Sequence, residues 1–176
     1  MLRDSPRIPL RARPVDALYF AYFVLHLAAS LCVDIQAIVP AHLVPTVFQN
    51  VLRDYLAQSN DPLLPRAWDP AYAWFRIAVL SEFFVQVPAF TLGIWAMWTN
   101  DRRAYPWLIL YGTLAALTTL QCLATVLIGP ERAQLSPANL QMILQNYIPF
   151  MLVPAAIAID LGVRTTRALA PHSKTE

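Results

Sequence analysis

Carboxyl, imidazole and amide side chains recur inside the most apolar stretches of this 176-residue sequence, where each is costly unless it faces a cavity or a partner. His26, Ser30 and Asp34 are spaced i, i+4 and i+8, which places them along one side of a predicted helix that runs toward Pro40, with Gln36 close behind. Glu82 and Gln86, four residues apart and followed by Pro88, fall in the middle of a second apolar stretch. Thr118, Thr119 and Gln121 occupy a third, and Gln145, Asn146 and Tyr147 a fourth. A carboxyl facing a cavity can pair with a ligand cation or hydrogen-bond a hydroxyl. A histidine and a carboxyl facing each other across a sterol ring can instead move a proton, and His26 with Glu82 would serve on chemistry alone. Each feature also has a structural reading: Asp34 and Gln36 wet at the end of their span, Glu82 neutral and hydrogen-bonded for packing, the threonines and amides bonding helix to helix. Cys32 and Cys122 lie alone in apolar surroundings, so no disulfide framework, metal site or cofactor is expected.

These residues need apolar helices to hold them. With 57% hydrophobic and only 14% charged residues, the chain cannot cover a water-soluble surface. Four stretches, about 16–38, 71–98, 106–128 and 139–162, reach the roughly 20 residues needed to cross the hydrocarbon core. Lipid satisfies no backbone N–H or C=O, and no alternating pattern suits a barrel. The expected fold is therefore all-α, an integral membrane four-helix bundle, with the first span retained rather than cleaved as a signal peptide. The one long connection, Pro40 to Pro70, carries Val44, Val47, Phe48, Val51, Leu52, Tyr55 and Leu56 at helical spacing. That predicts an amphipathic helix between spans one and two, lying either on the bilayer surface or over the bundle mouth. Pro88 frees the carbonyl of Phe84, and Pro149 and Pro154 interrupt the fourth span, freeing those of Gln145 and Phe150; a bent, irregular wall with room for a ligand is expected.

Charge sets the expected orientation. Arg3, Arg7, Arg11 and Arg13, then Arg102 and Arg103, then Arg164, Arg167 and Lys174 place nine basic residues on one side, against Arg53, Arg66 and Arg132 on the other, with Arg76 left at a helix entry. Both termini should face the cytoplasm, as an N-terminal tail 1–14 and a C-terminal tail 164–176 around a transmembrane domain 15–163. Tyr19, Trp68, Trp74, Trp95, Trp98, Tyr105 and Trp107 cluster near predicted span ends, as interfacial belts do, although some could face the bundle. The net charge of +2, without a basic helical face, excludes a nucleic-acid role.

Four segments are specific in combination, order and spacing: Val33-Asp34-Ile35-Gln36-Ala37-Ile38-Val39-Pro40, Asn60-Asp61-Pro62-Leu63-Leu64, Glu82-Phe83-Phe84-Val85-Gln86-Val87-Pro88 and Tyr147-Ile148-Pro149-Phe150-Met151-Leu152-Val153-Pro154. Through them the chain, from Asp16 to about Leu161, resembles the sigma-2 receptor family of EXPERA-domain membrane proteins, which is related to the sterol isomerases of the emopamil-binding protein type. The resemblance implies a four-helix protein of the endoplasmic reticulum, often a homodimer, whose occluded pocket binds sterols and cationic amphiphilic amines. It implies that Asp34 pairs with a ligand ammonium and that Asp61 buttresses it; because two adjacent carboxylates cannot cheaply both ionise, Asp61 is expected to donate to Asp34 as the neutral partner when an amine is bound. It also implies that Glu82, Gln86, His26, Thr118 and Tyr147 belong to the pocket, and that Phe150 stands where animal members carry a tyrosine. Motif spacing and chain length favour the receptor branch over the isomerases, so binding is expected rather than catalysis. A third expectation is a trafficking role with another membrane protein, such as a sterol transporter, as partner.

Overall fold

The computed structural model describes residues 8–170; Arg3, Arg7 and Lys174 of the charge count lie outside the described residues. Helix α1 (Pro14–Cys32) starts on a proline that needs no N–H partner in a first turn, and α2 (Thr46–Ser59) is the helix of the long connection. Helices α3 (Ala73–Ser81) and α4 (Val87–Thr99) are joined by one wide π turn, Glu82–Gln86, and together make a single span. Helix α5 covers Tyr105–Ile128 and α6 covers Pro137–Leu169. Four segments, Pro14–Ala37, Pro70–Thr99, Arg102–Ile128 and Pro137–Leu169, are long and apolar enough to cross a membrane. The protein is a multi-pass, all-α membrane bundle.

Local chemistry sets the boundaries. Ser136 accepts from the Asn139 backbone N–H while the Asn139 side chain returns to the Ser136 N–H, a capping box that starts α6 on Pro137. Asn60 and Asn100, with φ of 49° and 59°, end α2 and α4 in the left-handed conformation that asparagine tolerates. Two expectations are corrected here. The first helix ends at Cys32 rather than running to Pro40, because Val33 leaves helical geometry and residues 34–37 tighten into a 3₁₀ turn. The Gln36 amide then donates to the freed Cys32 carbonyl and to the Phe48 carbonyl at 2.8 Å. Asp34 is thus presented by a turn, not by the helical face that its spacing suggested.

The fourth span, by contrast, is not interrupted: α6 runs unbroken through Pro149 and Pro154 for 33 residues. Proline's fixed φ suits a helix, and what it removes is a donor; packing supplies the rest. A Cβ on Gly112 of α5 would lie 2.5 Å from the Pro154 carbonyl oxygen, so the two backbones meet there only because position 112 is glycine. The α5–α6 pairing is the most extensive in the molecule, followed by α1 with α4.

Two apolar clusters divide the interior. One, around Tyr19, Phe23, Phe90, Met97, Leu108 and Leu161, fills the end where α1 begins and α6 finishes. The other, around Leu63, Leu64, Tyr72, Phe75, Val126 and Ile143, lies beneath α2. Leu52, Tyr55 and Leu56 turn α2 onto that second cluster while Val47 and Val51 stay exposed, so α2 closes over the bundle mouth. Trp68, Trp95, Trp98 and Trp107 face outward, whereas Tyr19 and Tyr105 are buried.

Candidate functional site

Between the two clusters lies a cavity of about 160 Å³. The π turn and the end of α1 build its polar side. Ser30 donates a hydrogen bond to the Glu82 carboxyl, tying α1 to the π turn, and Asp34 reaches the same space from the 3₁₀ turn. Thr118, Thr119 and Cys122 line it from α5, and Asn146, Tyr147 and Phe150 from α6. Tyr55 closes it from α2; Leu64, Phe75 and Val79 supply apolar wall. Among the described residues two carboxyls face this space, and no lysine or arginine does.

Asp61 stands directly behind the wall, 3% exposed. Its Oδ2 accepts from the Tyr55 hydroxyl at 2.8 Å and the Tyr147 hydroxyl at 2.6 Å, and its Oδ1 accepts from the Leu63 backbone N–H at 2.8 Å. In the structure the Asp61 carboxyl is an acceptor in each of these bonds, and its tie to the cavity is through the two phenols. Burial and then the charge of Asp61 push the Tyr55 phenol above its ordinary value, so it remains a donor.

His26 lines the cavity inside a ring of aromatic groups, with Phe90 at 4.4 Å and Phe150 at 4.7 Å between ring centroids. Its Nδ1 is 2.9 Å from the Tyr111 hydroxyl. Gln86, although 3% exposed and part of the π turn, does not line the cavity. The structure therefore brings Asp34, Glu82, His26, Thr118, Tyr147 and Phe150 to one space, puts Asp61 one hydrogen bond behind it, and leaves Gln86 in the packing.

Sequence reasoning missed two residues. Tyr55 reads in the sequence as part of the apolar stripe of α2, yet its hydroxyl is the link from that helix to Asp61. Tyr111, fully buried in mid-span, holds His26; a lone phenol at that depth, which needs a partner, is the signal that could have found it. Among the described residues no group of three His, Cys, Asp or Glu side chains could hold a metal ion.

The EXPERA (expanded EBP superfamily) model matches residues 47–161. Efficient mitochondria targeting-associated protein 19 of Schizosaccharomyces pombe is 30% identical over 169 residues, covering 92% of this chain and 82% of that protein. Sigma intracellular receptor 2 of Macaca fascicularis is 28% identical over 165 residues, and that of Homo sapiens 27% over 164; each alignment covers 86% of this chain and 89% of the relative.

Proposed function

Since the chain belongs to the EXPERA family, the expanded EBP superfamily, we propose that it is a membrane receptor for cationic amphiphiles and sterols, with the cavity between its two apolar clusters as the binding site. The observation that carries this reading is the charge pattern of that cavity: Asp34 and Glu82 in an aliphatic and aromatic wall that holds His26 but, among the described residues, no lysine or arginine. An incoming ammonium supplies the missing positive charge. It forms a charge-assisted hydrogen bond to Asp34, which fixes the ligand's direction, while burial of the apolar body provides most of the affinity at about 25 cal/mol per Å². Tyr55 and Tyr147 hold Asp61 as a further carboxyl behind the first. A sterol, lacking charge, uses one hydroxyl hydrogen bond to the same carboxyls and lays its ring face along Phe75 and Phe150. Residence in the endoplasmic reticulum, cytoplasmic termini, homodimers and work beside a sterol transporter belong to the same proposal by family likeness.

Asp34→Asn should lower the affinity of a radiolabelled cationic amphiphile by about 10- to 100-fold, the equivalent of a lost hydrogen bond between charged groups. Undiminished binding in membranes carrying the variant would remove Asp34 as the anchor.

One observation favours a second reading: His26 and Glu82 line the same cavity, as a sterol Δ8–Δ7 isomerase would require. The aromatic ring around His26 and its bond to Tyr111 leave it little freedom to exchange protons with a ligand. Purified protein incubated with a Δ8 sterol should leave it unchanged. Appearance of the Δ7 product would make the protein an enzyme.

A further inference from the structure

At the bundle end that carries both the start of α1 and the finish of α6 there is an open recess of about 510 Å³, remote from the cavity and lined by Arg13, Arg102, Arg164 and Arg167. Every described carboxylate around it is already engaged. Asp16, 4% exposed, is ion-paired with both Arg13 and Arg164. Asp160 pairs with Arg164 at 2.7 Å and accepts from the Tyr19 hydroxyl at 3.0 Å. Asp101 is held by Arg103, whose Nη2 is 2.6 Å away. Arg13 also donates to the Met97 carbonyl at 2.6 Å, at the end of α4.

The result is a recess with a fixed floor and two further arginines, Arg102 and Arg167, both exposed and with no carboxylate partner among the described residues. Two guanidinia that line one recess at an end of a helical bundle, with no counter-charge among the described residues, make a site for an anion with several acceptor oxygens. Basic pockets between transmembrane helices take acidic lipid headgroups. We propose that this recess binds a phosphate monoester carried on a lipid, with Arg102 and Arg167 grasping its phosphate and the Arg13–Asp16–Arg164 floor holding the walls apart. A monoester is favoured over a diester because it carries up to two charges near neutral pH and presents three acceptor oxygens. The proposal is independent of the ligand cavity, which shares no lining residue with the recess.

The test uses the full chain in detergent, titrated with dioleoyl phosphatidic acid, dioleoyl phosphatidylglycerol or soluble glycerol 3-phosphate, with bound lipid counted by native mass spectrometry. Phosphatidic acid should bind at least tenfold more tightly than the diester phosphatidylglycerol. Arg102→Gln with Arg167→Gln should lower phosphatidic acid binding about tenfold, while the Lys counterparts retain most of it. Neither arginine makes a described ion pair, so the Gln variant should melt at the wild-type temperature; that separates loss of the site from loss of the fold. Equal binding of the two lipids, or unchanged binding in a well-folded Gln variant, would overturn the site. Displacement of phosphatidic acid by glycerol 3-phosphate at equal concentration would overturn the lipid as its source and assign the recess to a soluble phosphate monoester.

Discussion

Two phenols from different helices converge on one oxygen of Asp61, and this convergence gives α2 a stake in the cavity that its apolar contacts alone do not. Tyr147→Phe removes one donor to a carboxyl that is 3% exposed, and Tyr55→Phe removes the other. Each replacement conserves the ring, so the packing survives while Asp61 gains freedom to turn away from Asp34. Each should weaken binding of a cationic amphiphile by about 3- to 10-fold, within the roughly 0.5–1.5 kcal/mol of a typical hydrogen bond, and the pair together by more than either. Saturation binding on the two single variants and the double one measures this; three unchanged affinities would detach Asp61 from the site. Asp61 was legible only through the resemblance to a family, and the reason is physical. It lies in a connection, and one of its two phenols comes from 86 residues away, a pairing that no local pattern registers. Asp34, Glu82 and His26 were legible because a polar group in an apolar span is conspicuous wherever its partner lies.

A single wide turn positions Glu82. In a regular helix the ring of Pro88 would press on the carbonyl of Phe84, and the π turn over Glu82–Gln86 relieves that by inserting one residue into the helical count. One residue is about 100° of rotation, so the turn decides which way everything before it faces relative to everything after it. Pro88→Ala allows an ordinary α-helix to form throughout the span. That would swing Glu82, Val79 and Phe75 away from the cavity relative to Phe90. The expected outcome is a variant that inserts in the membrane with wild-type helix content by circular dichroism but binds the cationic amphiphile at least tenfold more weakly. Wild-type affinity would mean that the π turn is not what aims Glu82. Proline proved an uneven guide along the sequence: Pro88 does accompany an irregular turn, whereas Pro149 and Pro154 are absorbed by a helix held against α5 at Gly112. A proline reports a missing donor; whether the backbone deviates depends on what packs beside it, and hydropathy carries no record of that.

At the scale of the whole bundle, the two ends are closed by different means. Beneath α2, the Tyr72 hydroxyl donates to Glu131 and Arg66 donates to that hydroxyl at 2.7 Å, joining the start of the second span to the end of the third. At the opposite end Asp16 bridges Arg13 and Arg164, which binds the first turn of α1 to the last turns of α6, and Arg13 caps a carbonyl near the end of α4, where the helix dipole favours a cation. The count of basic residues correctly groups Arg13, Arg102 and Arg164 at one end, since count and sidedness go together. It could not show that an aspartate was buried among them. Asp16→Asn leaves Arg13, with only 11% of its side chain exposed, without its carboxylate beside an Arg164 that keeps Asp160 as its carboxylate partner. Breaking such a pair costs about 3–5 kcal/mol when fully buried, and the 30% exposure of Arg164 lowers the expectation here to about 3 kcal/mol. Arg164→Gln, which removes the second cation, should restore part of the loss in the Asp16→Asn background, because it relieves the repulsion that the first change created. Unfolding of the purified protein in detergent, followed by circular dichroism for the two single variants and the double one, reads that coupling directly. Strictly additive losses would mean that the three side chains close the end independently, leaving the Tyr19–Asp160 hydrogen bond and apolar contacts to join α1 to α6.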